Sequence, residues 1–304
     1  MACCLPMKHF RDGLGNTQAK LTKYTPQKPN TRPPLVVVFA LINKPYILDL
    51  TPDRSLIRRL LERGQTVYLL DWGSPTQADI HKGLKSYLLE DLNSAIDVVR
   101  NQEGIDTIEL LGICQGGYFS LSYTSLFPEK ISRLITLVTP IDFHAEGCRL
   151  FHLTRYLNID ALTDTTFLIS GRHLSELFNW VAPFKSLSKQ WLGGEDGIDR
   201  WFQDCPDQSP RLIREFSKAL ISNALFEGKL SIDEHPVNLK KIIQPILNIY
   251  AIDDHFWSPS TPIGLRKLHN SCDYQEVALP CGHLGGMIGR FQHEVADAIV
   301  RNYK

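Results

Sequence analysis

Residues 112–117 read Gly-Ile-Cys-Gln-Gly-Gly, and they stand between the apolar run TIELL (107–111) and the run YFSLSYTSLF (118–127). The first run is strand-like, and the second repeats its apolar residues at helical spacing. A strand that turns directly into a helix needs a sharp corner. Its corner residue is held in a strained backbone, and glycines two positions either side remove side chains that would clash. Here the corner is Cys114. A free cysteine is commonly a small buried hydrophobe, but this placement makes Cys114 a candidate nucleophile. At the start of a helix a thiol meets the positive end of the helix dipole, and a neighbouring imidazole pushes it further toward thiolate. A thiolate suits a thioester substrate, because transfer between sulfurs is nearly isoenergetic and keeps the acyl group activated.

Working outward, short β-branched runs alternate with helical patterns: LVVVFALI (35–42), TVYLLD (66–71), LITLVTPI (134–141), PILNIYAI (245–252) and YQEVAL (274–279) join TIELLGI (107–113) as six candidate strands. Such alternation predicts a mostly parallel sheet covered by helices on both faces. Helices are expected from Ser55 to Arg63, stopping at Gly64, and from Tyr87 to Arg100, with Leu88, Leu92, Ala95, Ile96 and Val99 on one face; a closing helix is expected from Gly286 to Arg301. Between 143 and 235 the rhythm breaks. FHLTRYL, LSELFNWVAPF and RLIREFSKALISNALF are helical in period and predict an inserted helical cap. Residues 1–34 are polar and rich in Lys, Thr and Pro, and predict a flexible leader with ordered structure starting at Leu35. The expected organisation is therefore a leader (1–34), an α/β-hydrolase core (35–142 and 236–304) and a helical cap (143–235).

Composition narrows the function classes. Lys plus Arg number 33 and Asp plus Glu number 33 in the 304 residues, so no basic excess exists to hold a phosphate backbone, and nucleic acid is not an expected partner. No stretch reaches about 18 uninterrupted apolar residues, the minimum for a spanning helix, and the N-terminus lacks a secretory pattern. A cytoplasmic protein is expected. Seven cysteines without paired CxxC spacing fit free thiols rather than a metal site. Cys3 and Cys4 are read as inert thiols in the leader, with acylation as the alternative.

A nucleophile of this kind needs a base and an acid, which follow it in the order acid, then histidine, after late strands. After PILNIYAI come Asp253, Asp254 and His255; after YQEVAL come Pro280, Cys281, Gly282 and His283. Both groups fall at carboxyl ends of strands, where sites of such sheets lie. His283 is the expected base. Either Asp254 or Asp253 would fix its tautomer, and turn capping is the bland alternative for both. An oxyanion hole is expected from the backbone N–H of Gln115 and one more from Leu41, Ile42 or Asn43.

FALINKPYILDL with Ser55 (39–55), DWGSP (71–75), GICQGG (112–117), NALFEGKL (223–230), PILNIYAIDDH (245–255) and GHLG (282–285) together resemble the polyhydroxyalkanoate synthases from about residue 35 onward. The resemblance implies (R)-3-hydroxyacyl-CoA substrates, an acyl-cysteine intermediate, a polyester deposited as granules, and no cofactor or metal. It implies Cys114 as nucleophile, Asp254 rather than Asp253 as acid, and His283 as base, with His255 beside the acid positioning that acid or the CoA, and packing alone as the alternative. Phe256-Trp257-Ser258 and Cys281 depart from the usual pattern. Brevity before the first core strand implies the short, two-subunit type, working with a separate non-catalytic subunit on hydroxyacyl-CoA at the granule surface; a homodimer is the simpler alternative. A polyester depolymerase or thioesterase with water as acceptor is the competing enzyme, and a non-catalytic granule protein the competing binding role.

Overall fold

The computed structural model describes residues 7–10, 18–181 and 196–301. Cys3, Cys4 and the Ala182–Phe184 end of the second cap pattern lie outside the described residues.

Eight strands form one sheet: β1 (Met7–Phe10), β2 (Lys20–Tyr24), β3 (Leu35–Val38), β4 (Val67–Asp71), β5 (Ile108–Ile113), β6 (Ile131–Leu137), β7 (Ile246–Ala251) and β8 (Tyr274–Leu279). Their order is β1-β2-β4-β3-β5-β6-β7-β8. The last six strands pair in parallel, and β2 runs antiparallel to both β1 and β4.

The central strands are apolar at consecutive positions because both faces are covered. Val36 and Val38 join Tyr68, Leu70 and Leu110 in one core cluster, whereas Leu35 and Val37 join Leu69, Leu111 and Ile113 in the other. The first cluster packs under α2 (Asn93–Glu103) and α3 (Gln115–Leu126); the second packs under α1 (Leu56–Glu62) and the closing helix, Gln292–Val300. Alternate residues of a strand point to opposite faces, so one β-branched run serves two layers.

Local signals set the helix ends. Ser55 caps α1, its Oγ accepting from the Arg58 N–H at 2.9 Å, and the chain leaves at Gly64 with φ +80°. The pattern expected as one helix from Tyr87 divides into a π-helical stretch, Ser86–Leu92, followed by α2, which ends at left-handed Gly104. The strand expected over 35–42 stops at Val38, because residues 39–44 leave the sheet as a loop toward the site.

The leader expected over 1–34 requires correction. Lys20–Tyr24 pairs with β4 in register Lys20↔Asp71 to Tyr24↔Val67, and Met7–Phe10 pairs with β2 in turn. The strand is polar because only Leu21 and Tyr24 enter the two core clusters; backbone pairing to β4 supplies the rest. Beyond it, the Asn30 N–H donates to Gly64 O at 2.8 Å, and Arg32 pairs with the buried Glu109 at 2.6 Å.

Between β6 and β7 the described residues form α4 (Arg149–Thr154), α5 (Ile159–Thr163), α6 (Gly171–Val181), α7 (Asp196–Gln203) and α8 (Pro210–Ile221), then a two-stranded ladder of Ser231–Ile232 with His235–Pro236. Several residues of these helices line the cavity described below. Among the described residues no helix is long and apolar enough to cross a membrane.

Candidate active site

Cys114 sits at the corner between β5 and α3 with φ +54° and ψ −122°, a region that non-glycine residues rarely occupy. The corner is held by its own N–H donating to Leu137 O at 2.9 Å and by its C=O accepting from the Gly117 N–H at 2.9 Å. A Cβ on Gly116 would overlap the Val38 carbonyl, and one on Gly117 would overlap the Thr139 side chain. The two glycines are thus required by how closely α3 approaches β3 and the end of β6.

The turns after β7 and β8 bring the other groups to it. His283 Nδ1 lies 2.7 Å from Asp254 Oδ2, with side-chain exposures of 9% and 3%. The other Asp254 oxygen accepts from the backbone N–H of Phe256 at 2.9 Å and of Trp257 at 3.3 Å. The capping role and the imidazole-facing role thus coexist in one carboxylate. Asp253 is exposed, and its backbone N–H donates to Cys281 O at 3.0 Å. The remaining His283 nitrogen faces Cys114, with which the ring shares a hydrogen bond. Burial opposes protonation of His283, but the charge of Asp254 and of a Cys114 thiolate outweighs it and carries the imidazole up to about 10. The Phe256 ring meets the imidazole edge-on at 5.3 Å. Cys281 is nearby, but burial and the adjacent carboxylates push its thiol up to about 12, so it stays neutral.

The oxyanion residues divide. Gln115 opens α3, so its backbone N–H is among those a helix start leaves without an intrahelical acceptor. Leu41 is corrected: its N–H donates to the Gln115 side-chain oxygen at 2.9 Å, and it is not part of the cavity lining. The Asn43 N–H is directed at the Cys205 sulfur, and Asn43 adopts φ +67°. Ile42 lines the cavity beside Cys114, and its amide has no acceptor among the described residues. His255 is half-exposed and is not part of the cavity lining either.

Cys114, Gln115 and His283 share a cavity of about 340 Å³ with Phe143, Phe216 and Trp257. Leu162 of α5, Leu177 of α6 and Leu157 from the turn between α4 and α5 also line it. An apolar chamber over a half-buried thiol and a buried imidazole favours acyl chemistry and restricts water. Among the described residues no three His, Cys, Asp or Glu side chains gather in a metal-binding arrangement.

Two features escaped the sequence. The Asn223 side chain accepts from the Phe143 N–H at 2.9 Å and donates to Asp142 at 2.8 Å, tying the end of the insertion to the segment that follows β6; the NALFEGKL run was the available signal. The contacts of Trp201 and Gln208 with the loop after β3 had no local signal at all.

A family model described as the α/β-hydrolase fold matches residues 33–289. The chain is 37% identical over 302 residues to the poly(3-hydroxyalkanoate) polymerase subunit PhaC of Allochromatium vinosum, covering 93% of this chain and 85% of the relative. It is 34% identical over 303 residues to the protein of the same name from Synechocystis sp., covering 92% and 80%. Among solved structures it is similar to the thioesterase domain from the curacin biosynthetic pathway, with TM-score 0.57, 16% identity and coverage of 98% of this chain and 100% of that one. A membrane phospholipase A matches with TM-score 0.59, 16% identity and coverage of 97% and 84%. At such identities the structural likeness speaks for the fold.

Proposed function

Because this chain belongs to the poly(3-hydroxyalkanoate) polymerases, built on the α/β-hydrolase fold, we propose that it carries the growing ester as a thioester on Cys114. It is an acyltransferase that polymerises hydroxyacyl units. The observation that supports the cysteine route is the connected line from Asp254 through His283 to Cys114 on the floor of an apolar chamber.

The Cys114 thiol gives its proton to the cavity-facing nitrogen of His283, and the imidazolium so formed is stabilised by Asp254. The thiolate attacks the acyl-CoA carbonyl, and the amides of Gln115 and Ile42 stabilise the oxyanion. The carbon–sulfur bond to CoA breaks, and His283 returns its proton to the leaving thiolate. His283 then takes the proton of a hydroxyacyl hydroxyl, whose oxygen attacks the acyl-cysteine; one ester bond forms and Cys114 is released as the thiolate–imidazolium pair. Every proton passes through His283, out to the CoA thiolate and in from the hydroxyl, and no cofactor is invoked.

The acyl group is (R)-3-hydroxyacyl, with 3-hydroxybutyryl-CoA the first substrate to test. Incubation should release free CoA thiol together with insoluble polymer. Thiol release with only soluble hydroxy acid would replace synthesis by hydrolysis, and no release would leave a binding role. Because the relatives bear the word subunit in their names, a second, non-catalytic subunit that stimulates this chain at the polyester surface is part of the same reading. Full activity of the purified chain, without lag, would remove that partner; a homodimer would then be sought by sedimentation.

A further inference from the structure

The loop after β3 carries the amide of Ile42 that the proposed mechanism uses, and this loop is gripped from two sides. On the core side, Gln115 beside the nucleophile accepts from the Leu41 N–H at 2.9 Å. The ends of the loop are tied by the Trp72 indole donating to Phe39 O and by Lys44 Nζ donating to Gly73 O, whereas the peptides around Ile42 are held on the other side by residues 201–208 of the insertion. Gln208 Nε2 donates to Leu41 O at 3.0 Å, the Trp201 indole N–H donates to Lys44 O at 2.6 Å, and Asn43 Nδ2 donates back to Trp201 O at 2.8 Å. The Asn43 backbone N–H meets the Cys205 sulfur. Peptides on both sides of Ile42 are therefore held, while its own amide is left unengaged among the described residues.

Gln208 is 1% exposed and Trp201 6%. Both line the cavity, and the Trp201 ring also meets Phe39 edge-on at 6.4 Å. Buried donors that end on loop carbonyls cost free energy if the loop moves away, because no water replaces the lost partner. The left-handed backbone of Asn43, at φ +67°, is sustained by the same contacts.

We propose that Gln208 and Trp201 are positioning residues, which orient the Ile42 amide for the oxyanion so that the site is complete only when the 201–208 segment is seated on the loop. Seating of the insertion and assembly of the oxyanion hole are then one event. The inference rests on Cys114 as nucleophile and adds to it a division of labour: the core sets the thiolate, and the insertion sets the amide that meets the developing negative charge.

Gln208→Met removes one donor while nearly keeping the side-chain shape, and Trp201→Phe removes the other while keeping an aromatic ring. The test compares two reactions of Cys114 in the full chain. Acylation by 3-hydroxybutyryl-CoA develops an oxyanion; alkylation by iodoacetamide does not. Each variant should acylate more slowly by roughly 10–100-fold, since removal of a single oxyanion donor costs about 100–1,000-fold. KM and the alkylation rate should stay within about twofold of the parent chain. The fall should appear in kcat. Equal losses in both reactions would overturn the proposal in favour of general disorder of the site, and unchanged acylation in both variants would overturn it directly. If Trp201→Phe fails to fold, Gln208→Met decides alone. A parent chain that is alkylated but never acylated would bring down the reading of Cys114 itself, and the clamp with it; acylation that only the variants fail to match supports both.

Discussion

The helix that follows Cys114 and the insertion that lines the cavity above it are built on opposite principles. In α3, every residue from Gln115 to Ser125 is buried, polar ones included, and Ser122 and Thr124 bond back to carbonyls four residues earlier. Of the eight large hydrophobic side chains exposed in the described structure, five lie between 156 and 177: Tyr156, Leu157, Leu162, Phe167 and Leu177. A fully buried helix has one position available to it, so Cys114 and its partners are held rigidly. An insertion that leaves apolar side chains in solvent is bound less tightly to the body, which suits a roof above an apolar chamber and a surface meeting an apolar product. The difference teaches that burial is complete around the Cys114 corner and incomplete in the insertion, as the proposed aiming of a thiolate and entry of an acyl chain require.

The strongest way to break this contrast is at Cys114 itself. Cys114→Ala should lower CoA release by roughly a thousandfold or more, while the thermal midpoint stays near that of the parent chain, since triad members act as a unit. Cys114→Ser should lose most activity too, because a hydroxyl has far too high a pKa for this base. Near-normal release from the alanine variant would remove the triad.

Asp254→Asn should reduce acylation by on the order of 100- to 10,000-fold through loss of the oriented imidazole. It also carries a pH signature. His283 stands at about 10 in the fold against an ordinary value of 6.5. A raised pKa contributes stability that is fully present below 6.5 and fades as the pH climbs through about 10. The stability difference between parent and variant should therefore be widest near pH 6 and nearly closed at pH 10, as read by urea unfolding across that range. A gap that grows with pH would mean that His283 is neutral in the fold.

Gly116→Ala attacks the rigid half without touching the chemistry. Its added methyl meets the Val38 carbonyl, and overpacking of this kind costs about 1–3 kcal/mol. An unchanged midpoint in denaturant would show that α3 is looser than its burial implies. The smallest effect belongs to the roof: Phe167, at 70% exposure, should tolerate Phe167→Ser within about 0.5 kcal/mol. A larger loss would mean that this surface is covered in the working protein.

Much of this contrast was legible beforehand. Consecutive apolar residues in TIELL and LVVV announced strands buried on two faces, and the glycines around Cys114 announced the corner, because period and steric permission are local properties. The polar strand Lys20–Tyr24 was not legible, since its pairing partner lies more than 40 positions away in the chain, at β4. A strand that takes its stability from a neighbour's backbone leaves almost no mark in its own side chains.

The site divides in the same way. Cys114 and His283 are marked by their own neighbours in the chain, by flanking glycines and by place after a strand, so the amino-acid order alone made them candidates. Asp253 and Asp254 carry nearly equal marks in their local residues, and the family resemblance pointed to Asp254; the folded turn, which exposes one and sets the other 2.7 Å from His283, separates them by geometry. The amide of Leu41 fits the oxyanion role as well as that of Ile42 until Gln115, 74 residues later, is seen to occupy it. Hydrogen-bond donors are interchangeable in sequence and become distinct only when packing decides which of them already has an acceptor.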